Sequence, residues 1–176
     1  INSYWATEHG GIAWTHFYGN GDFPLAADAR TFPLPWIVGD VWVEDETGDR
    51  QARVLLTRDG SDGVTWRKAG RGEKGEIIIA APYPYLARTV WGDSENFRVE
   101  NGAVAPGWAG DAGRWRDGYW SRWQGVWAYT QGDFAVQGDD DGFSLHGRSD
   151  DVINVSGHRM GTEEIEGAIL RDKALN

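Results

Sequence analysis

The sequence predicts an α+β chain built mainly from short strands, with its clearest helix near the carboxyl end. Three observations carry that expectation. Apolar runs are brief and are separated by Gly- and Asp-rich clusters at residues 59–63 and 138–142. The 176 residues include 25 Gly and 11 Trp, a mixture of permissive backbone and rigid aromatic surface that favours strands and tight turns. Helical spacing emerges from Thr162 onward, where Ile165, Ala168 and Ile169 share a face and Thr162 is a candidate N-cap.

Residues 37–44 (IVGDVWVE) alternate apolar and polar as a strand does, and residues 46–49 supply turn chemistry behind them. Residues 54–57 and 64–67 flank a Gly-rich reversal and are expected to pair as a hairpin. Residues 75–81 (GEIIIAA) read as a strand buried on both faces. Pro82 and Pro84 open an extended loop leading into one irregular helix by residue 96. Residues 101–119 show no usable period and are expected to be a surface loop or insertion. Residues 126–129 and 133–137 read as strands, turned by residues 138–142 into a further strand at 143–146. The composition changes at Ser149, Asp150 and Asp151, beyond which Trp is absent.

Lys plus Arg number 17 against 27 Asp plus Glu, a formal charge of -10 that opposes a nucleic-acid backbone. Nucleic acid is therefore not an expected partner. Cysteine is absent, which removes disulfides, thiolate nucleophiles and cysteine-bound metals and fits a cytoplasmic setting. The longest apolar run falls far short of the roughly 20 residues of a membrane span, so no membrane association is expected. His9, His16, His146 and His158 lack metal-ligand spacing, and residues 139–141 lack the alternation of a calcium loop. Ile1 begins inside what reads as structured sequence and residues 173–176 interrupt a helical pattern, so the chain reads as a fragment.

The chemistry concentrates in residues 129–166. A strand-end carboxylate can accept bonds from both vicinal hydroxyls of a ribose, and Asp133 fits that role beside its plainer reading as a turn residue after Gly132. Arg148, across the expected hairpin, can return to the same sugar. Arg159 lies in the glycine-flanked VSGHRMG, which can approach a phosphate closely. Read singly, each arginine is equally a solvated surface residue. Asp150 and Asp151 repel each other at close range, as suits an exposed joint between domains.

This run resembles the AMP-forming acyl-CoA synthetases, and within them the acetyl-CoA synthetase branch. The family's aromatic-x-x-Gly-Asp signature is matched by Tyr129 to Asp133, its DG turn by Asp141 and Gly142, and its Gly-Arg-x-Asp-Asp hinge by Gly147 to Asp151. The branch's Asn-Val-Ser-Gly-His-Arg stretch is matched by Asn154 to Arg159. Near the other end SYWATEHGG, Ser3 to Gly11, is similar to the branch's aromatic-Trp-x-Thr-Glu-x-Gly-Gly motif. The resemblance covers nearly the whole chain, although residues 97–118 are longer than usual for the family.

It implies the strand-rich C-terminal part of the large domain of an adenylate-forming (ANL-type) enzyme at 1–149, a hinge at 150–151 and the start of a small mobile domain at 152–176. It also implies ATP, Mg2+ and CoA as cofactors and a small carboxylic acid as substrate. Carried over by position, Tyr4 stacks on adenine, Thr7 touches phosphate and Glu8 coordinates magnesium. Asp133 and Arg148 bind the ribose, Arg159 approaches the phosphates, and Asp150 is the pivot. Ser156 and Gly157 face the CoA tunnel, and Trp5 closes the acyl pocket against longer acids.

Two family parts do not occur in these residues: the lysine-bearing phosphate loop, and the downstream lysine that drives adenylation, since the only lysines are Lys68, Lys74 and Lys173. By itself the chain is expected to be inactive and to be continuous with further domains of a larger polypeptide, with a homo-oligomer as one assembly open to it. SYWATEHGG and PLPWIVGDVWV (residues 33–43) are also similar to the synthetase portion of propionyl-CoA synthases, fusion enzymes that activate 3-hydroxypropionate. In that narrower reading His9 bonds the substrate hydroxyl; its plainer reading is a solvated loop histidine. The rival from another class is a noncatalytic, tryptophan-rich carbohydrate-binding β-sandwich, which the composition alone favours.

Overall fold

The computed structural model describes residues 3–16, 30–48, 50–52, 54–60, 62–92, 99–104, 110–155 and 158–172. Among these, β1 (Ser3–Ala6) and β2 (Gly11–Thr15) form an antiparallel hairpin, and β3 (Phe32–Pro33) joins β2 on its other edge. Next come β4 (Gly39–Glu44), β5 (Trp66–Lys68) and β6 (Lys74–Ile79), then the small β7 (Val99–Glu100) and β8 (Ala103–Val104) ribbon. After α1 (Ala112–Tyr119), the long β9 (Tyr129–Gln137) and β10 (Phe143–Arg148) complete a five-stranded antiparallel sheet of order β10-β9-β6-β4-β5. Beyond Ser149, β11 (Val152–Val155) and β12 (His158–Gly161) form a separate two-stranded sheet among the described residues, followed by α2 (Thr162–Arg171).

β6 at the sheet centre is buried on both faces, as its unbroken apolar run dictates. Ile77 and Ile79 enter one core with Trp14, Val41, Trp115, Tyr129 and Phe143. Ile78 and Ala80 enter the opposite core with Trp42, Trp66, Trp123 and Ala128. In that second core the Trp42 and Trp66 rings stack at 3.7 Å, with Trp123 edge-on to Trp42 at 5.7 Å. Their indole nitrogens are satisfied internally: Trp66 donates to the Gln124 carbonyl at 3.1 Å and Trp123 to Thr130 Oγ1 at 2.7 Å. Trp14, Trp42, Trp66, Trp115, Trp120 and Trp123 are all buried. Core packing therefore accounts for much of the tryptophan content, which weakens the compositional case for a sugar-binding sandwich.

Several elements differ from expectation. Residues 54–57 and 64–67 do not pair with each other; Thr57 bridges Val126 and Val64 bridges Trp123. Arg58 explains the arrangement, because its guanidinium donates to the carbonyls of Asp62, Ser121 and Trp123 and draws both segments onto the 121–126 stretch. The described part of 82–96 contains no helix. Conversely, the expected loop at 101–119 contains α1, which Asp111 caps by accepting the Arg114 N–H at 2.8 Å and which buries Trp115. Residues 126–128 precede β9 rather than forming a strand of their own, and of VSGHRMG, Val155 closes β11 and His158–Gly161 form β12. Thr162 opens α2, and Ile169 on the expected apolar face is exposed.

Candidate nucleotide site

The site grows from two turns that face one shallow depression of about 390 Å³. One is the β1–β2 turn, residues 7–10, closed by His9 N–H to the Ala6 carbonyl and Gly10 N–H to the Thr7 carbonyl, both at 3.1 Å. Gly10 is required there: its φ is +69°, and a Cβ would lie 2.0 Å from the Tyr85 carbonyl oxygen. The other is the junction between β9 and the end of β10. There Gly132, at φ +83°, lets the chain turn beneath the Arg148 guanidinium, and the Ser149 N–H donates to the Gly132 carbonyl at 2.8 Å.

Asp133 and Arg148 are direct register partners across β9 and β10, next to a shift in the ladder between Leu145 and Arg148. Arg148 donates to Asp133 Oδ1 at 3.3 Å, and the Tyr4 hydroxyl donates to Asp133 Oδ2 at 2.8 Å. Asp133 lies within β9 and not at its end. The other edge of the Arg148 fork grips Asp150 in a two-bond pair of 2.8 and 2.7 Å. That pair raises the arginine pKa and lowers that of Asp150. Burial, with the Asp133 charge behind it, keeps the Tyr4 phenol protonated far above its ordinary range.

Glu8 is held by uncharged donors: Tyr119 Oη at 2.9 Å and Gln131 Nε2 at 3.0 Å. It lines the same depression as Arg114, Arg148 and Asp150. Tyr119 and Gln131 carried no signal in the linear sequence, since each meets Glu8 only through the fold. Glu8, on an arginine-bearing hollow whose other carboxylate, Asp150, is paired with Arg148, fits magnesium in the form that also takes phosphate oxygens and water. No cluster of three acidic or histidine ligands occurs among the described residues.

The other expected positions are distributed as follows. Thr7 is exposed in the β1–β2 turn, and Trp5 is 63% exposed, opposite Ile12 on β2. The Tyr4 ring meets His9 and Trp14 edge-on at 5.0 and 5.4 Å. His9 is fully buried rather than solvated, wedged between Tyr4 and Tyr129, and burial lowers its pKa to about 4. Arg159 pairs with Asn154 in the β11–β12 hairpin. Ser156 and Gly157 lie outside the described residues.

No protein-family model matches the chain. Individual relatives do. Over 97% of its length it is 33% identical to acetyl-coenzyme A synthetase of Ralstonia pickettii, and over 99% it is 32% identical to that of Helicobacter acinonychis. The enzyme of the same name from Chlorobaculum tepidum is 31% identical over 99% of the chain. The chain spans about a fifth of the length of these curated relatives, 20%, 21% and 20% respectively. These matches support the AMP-forming acyl-CoA synthetase family that the motifs suggest.

Proposed function

We propose that this chain is the nucleotide-holding segment of an AMP-forming, short-chain acyl-CoA synthetase, an acid–thiol ligase that uses ATP, Mg2+ and CoA. The observation that carries the reading is the direct pairing of Asp133 with Arg148 beside Tyr4, with Arg148 lining the same hollow as Glu8. A carboxylate with a neighbouring guanidinium presents acceptor and donor groups to two adjacent ribose hydroxyls. In this reading Asp133 and Arg148 clamp the ribose, Tyr4 supports the adenine, Thr7 touches phosphate, and Glu8 holds Mg2+, which offsets phosphate charge when bound. Arg159 comes to the phosphates from the lobe at 152–176, which turns about Asp150 relative to residues 1–149, and Ser156 and Gly157 face CoA. The carboxylate substrate attacks the α-phosphate of ATP and expels pyrophosphate, and the CoA thiolate then displaces AMP.

Trp5 is the wall that limits the acid to a short one; its exposure leaves the indole available to a substrate or to neighbouring chain. The relatives' names make acetate the first acid to test, followed by propionate and 3-hydroxypropionate. The buried His9 offers no direct contact to a substrate hydroxyl in this conformation, so the 3-hydroxypropionate reading has no support from that residue.

The test uses the full natural polypeptide that carries this sequence, incubated with ATP, Mg2+ and each acid. Acid-dependent pyrophosphate release, with thioester on adding CoA, is the expected result. Glycan binding without any nucleotide binding would replace this reading with the carbohydrate-binding one.

A further inference from the structure

We propose that Tyr119, Gln131 and Tyr129 are positioning residues that fix the Glu8 carboxylate in one orientation for a nucleotide-bound divalent cation. The inference rests on the reading of Glu8 given above and adds a role for residues to which neither the motifs nor the relatives' names give one.

The contacts close into a circuit. Tyr129 Oη donates to Gln131 Oε1 at 3.0 Å, which fixes the amide so that its NH2 group faces Glu8 Oε2 at 3.0 Å. Tyr119 Oη donates to the other oxygen, Oε1, at 2.9 Å. The two tyrosine rings stack nearly parallel, 6° apart in plane with centroids at 5.6 Å, and Trp115 packs against both. Both carboxylate oxygens are thus held, each by one bond, and each keeps a second acceptor site.

The chemistry of the donors matters as much as their number. A lysine or arginine would orient Glu8 equally well but would cancel the charge that a cation needs. Phenol and amide groups orient it without neutralising it, and among the described residues no ion pair to Glu8 is formed. A phenol, with an ordinary pKa of about 10, is a donor at neutral pH. Partners that orient a ligand in this way typically change metal affinity by about 10- to 100-fold when removed.

The test replaces Mg2+ with Mn2+ and measures its binding by electron paramagnetic resonance. It uses the full polypeptide with a nonhydrolysable ATP analogue. Gln131→Ala and Tyr119→Phe are each expected to weaken Mn2+ binding about 10-fold. Tyr129→Phe, which removes only the outer link, is expected to weaken it roughly 3-fold, a smaller effect because the Gln131 to Glu8 bond survives. Affinity for the analogue without metal stays at the wild-type value in all three. Tyr119→Phe retains the stacked ring and separates the hydroxyl's role from folding. Wild-type Mn2+ affinity in Gln131→Ala and Tyr119→Phe, with loss in Glu8→Gln, would overturn the positioning role and leave Glu8 as ligand. Wild-type affinity in Glu8→Gln itself would overturn both.

Discussion

Asp133 and Glu8 are two carboxylates of the site, one paired with an arginine that lines the hollow and one lining it directly, and they are held in opposite ways. Asp133 is fixed by a cation that the strand register places directly opposite it, with Tyr4 adding a second bond. Glu8 is fixed by neutral groups that lie 111 and 123 residues away in sequence. The first arrangement suits an acceptor for neutral hydroxyls, whose charge is already balanced. The second keeps a full negative charge available for a cation. The contrast teaches that the electrostatic role of each acid is written in its partners more than in the acid itself.

The largest expected effect breaks the Glu8 side. Gly10→Ala forces a Cβ to 2.0 Å from the Tyr85 carbonyl at a φ of +69°. It should destabilise the fold by about 2–4 kcal/mol, read as a lower denaturant midpoint with unchanged slope.

His9, buried beneath Tyr4 and beside Tyr129, supplies a comparable effect through pH. Its folded pKa of about 4 lies below the ordinary 6.5, so the unfolded chain binds a proton that the folded chain refuses. Stability is therefore full above pH 6.5 and falls as pH drops toward 4, by roughly 2–4 kcal/mol from this residue. His9→Phe should flatten that part of the pH profile in urea titrations. An equally steep profile in the variant would show that other groups cause it.

The comparison is sharpened by Tyr4→Phe and Tyr119→Phe, each of which removes one hydrogen bond to a carboxylate. Tyr4→Phe leaves Asp133 paired with Arg148 and should cost about 1 kcal/mol, whereas Tyr119→Phe leaves Glu8 with Gln131 alone and should cost about 1–2 kcal/mol. Thermal denaturation of both variants checks the order. The smallest effect belongs to Arg148→Gln without ligand. Its pairs with Asp133 and Asp150 sit on a side chain 43% exposed, so the change should stay below about 1 kcal/mol and shrink in high salt.

The same contrast explains what was legible in the sequence. The Asp133–Arg148 pair follows from a hairpin whose strands and turn are contiguous, so a linear reading reaches it. The two-faced burial of β6 is equally local, because an unbroken run of Ile77, Ile78 and Ile79 leaves no polar face. The Glu8 circuit is assembled by the β1–β2 turn, α1 and β9, and α1 was itself hidden: Gly113 and Gly118 dilute its helical character, and Trp115 alone is its buried contact. Pairing of Thr57 and Val64 with the 123–126 stretch depends on Arg58, whose carbonyl partners a linear reading cannot locate. The burial of His9 was likewise decided by Tyr4 and Tyr129 closing over it from separate strands.

The most direct measurement compares AMP with 2′,3′-dideoxy-AMP by isothermal titration calorimetry on the full polypeptide and on its Asp133→Ala variant. If Asp133 receives the ribose hydroxyls, the wild type binds AMP at least about 10-fold tighter than the dideoxy analogue, and the variant loses most of that preference. An undiminished preference in Asp133→Ala would contradict the assignment.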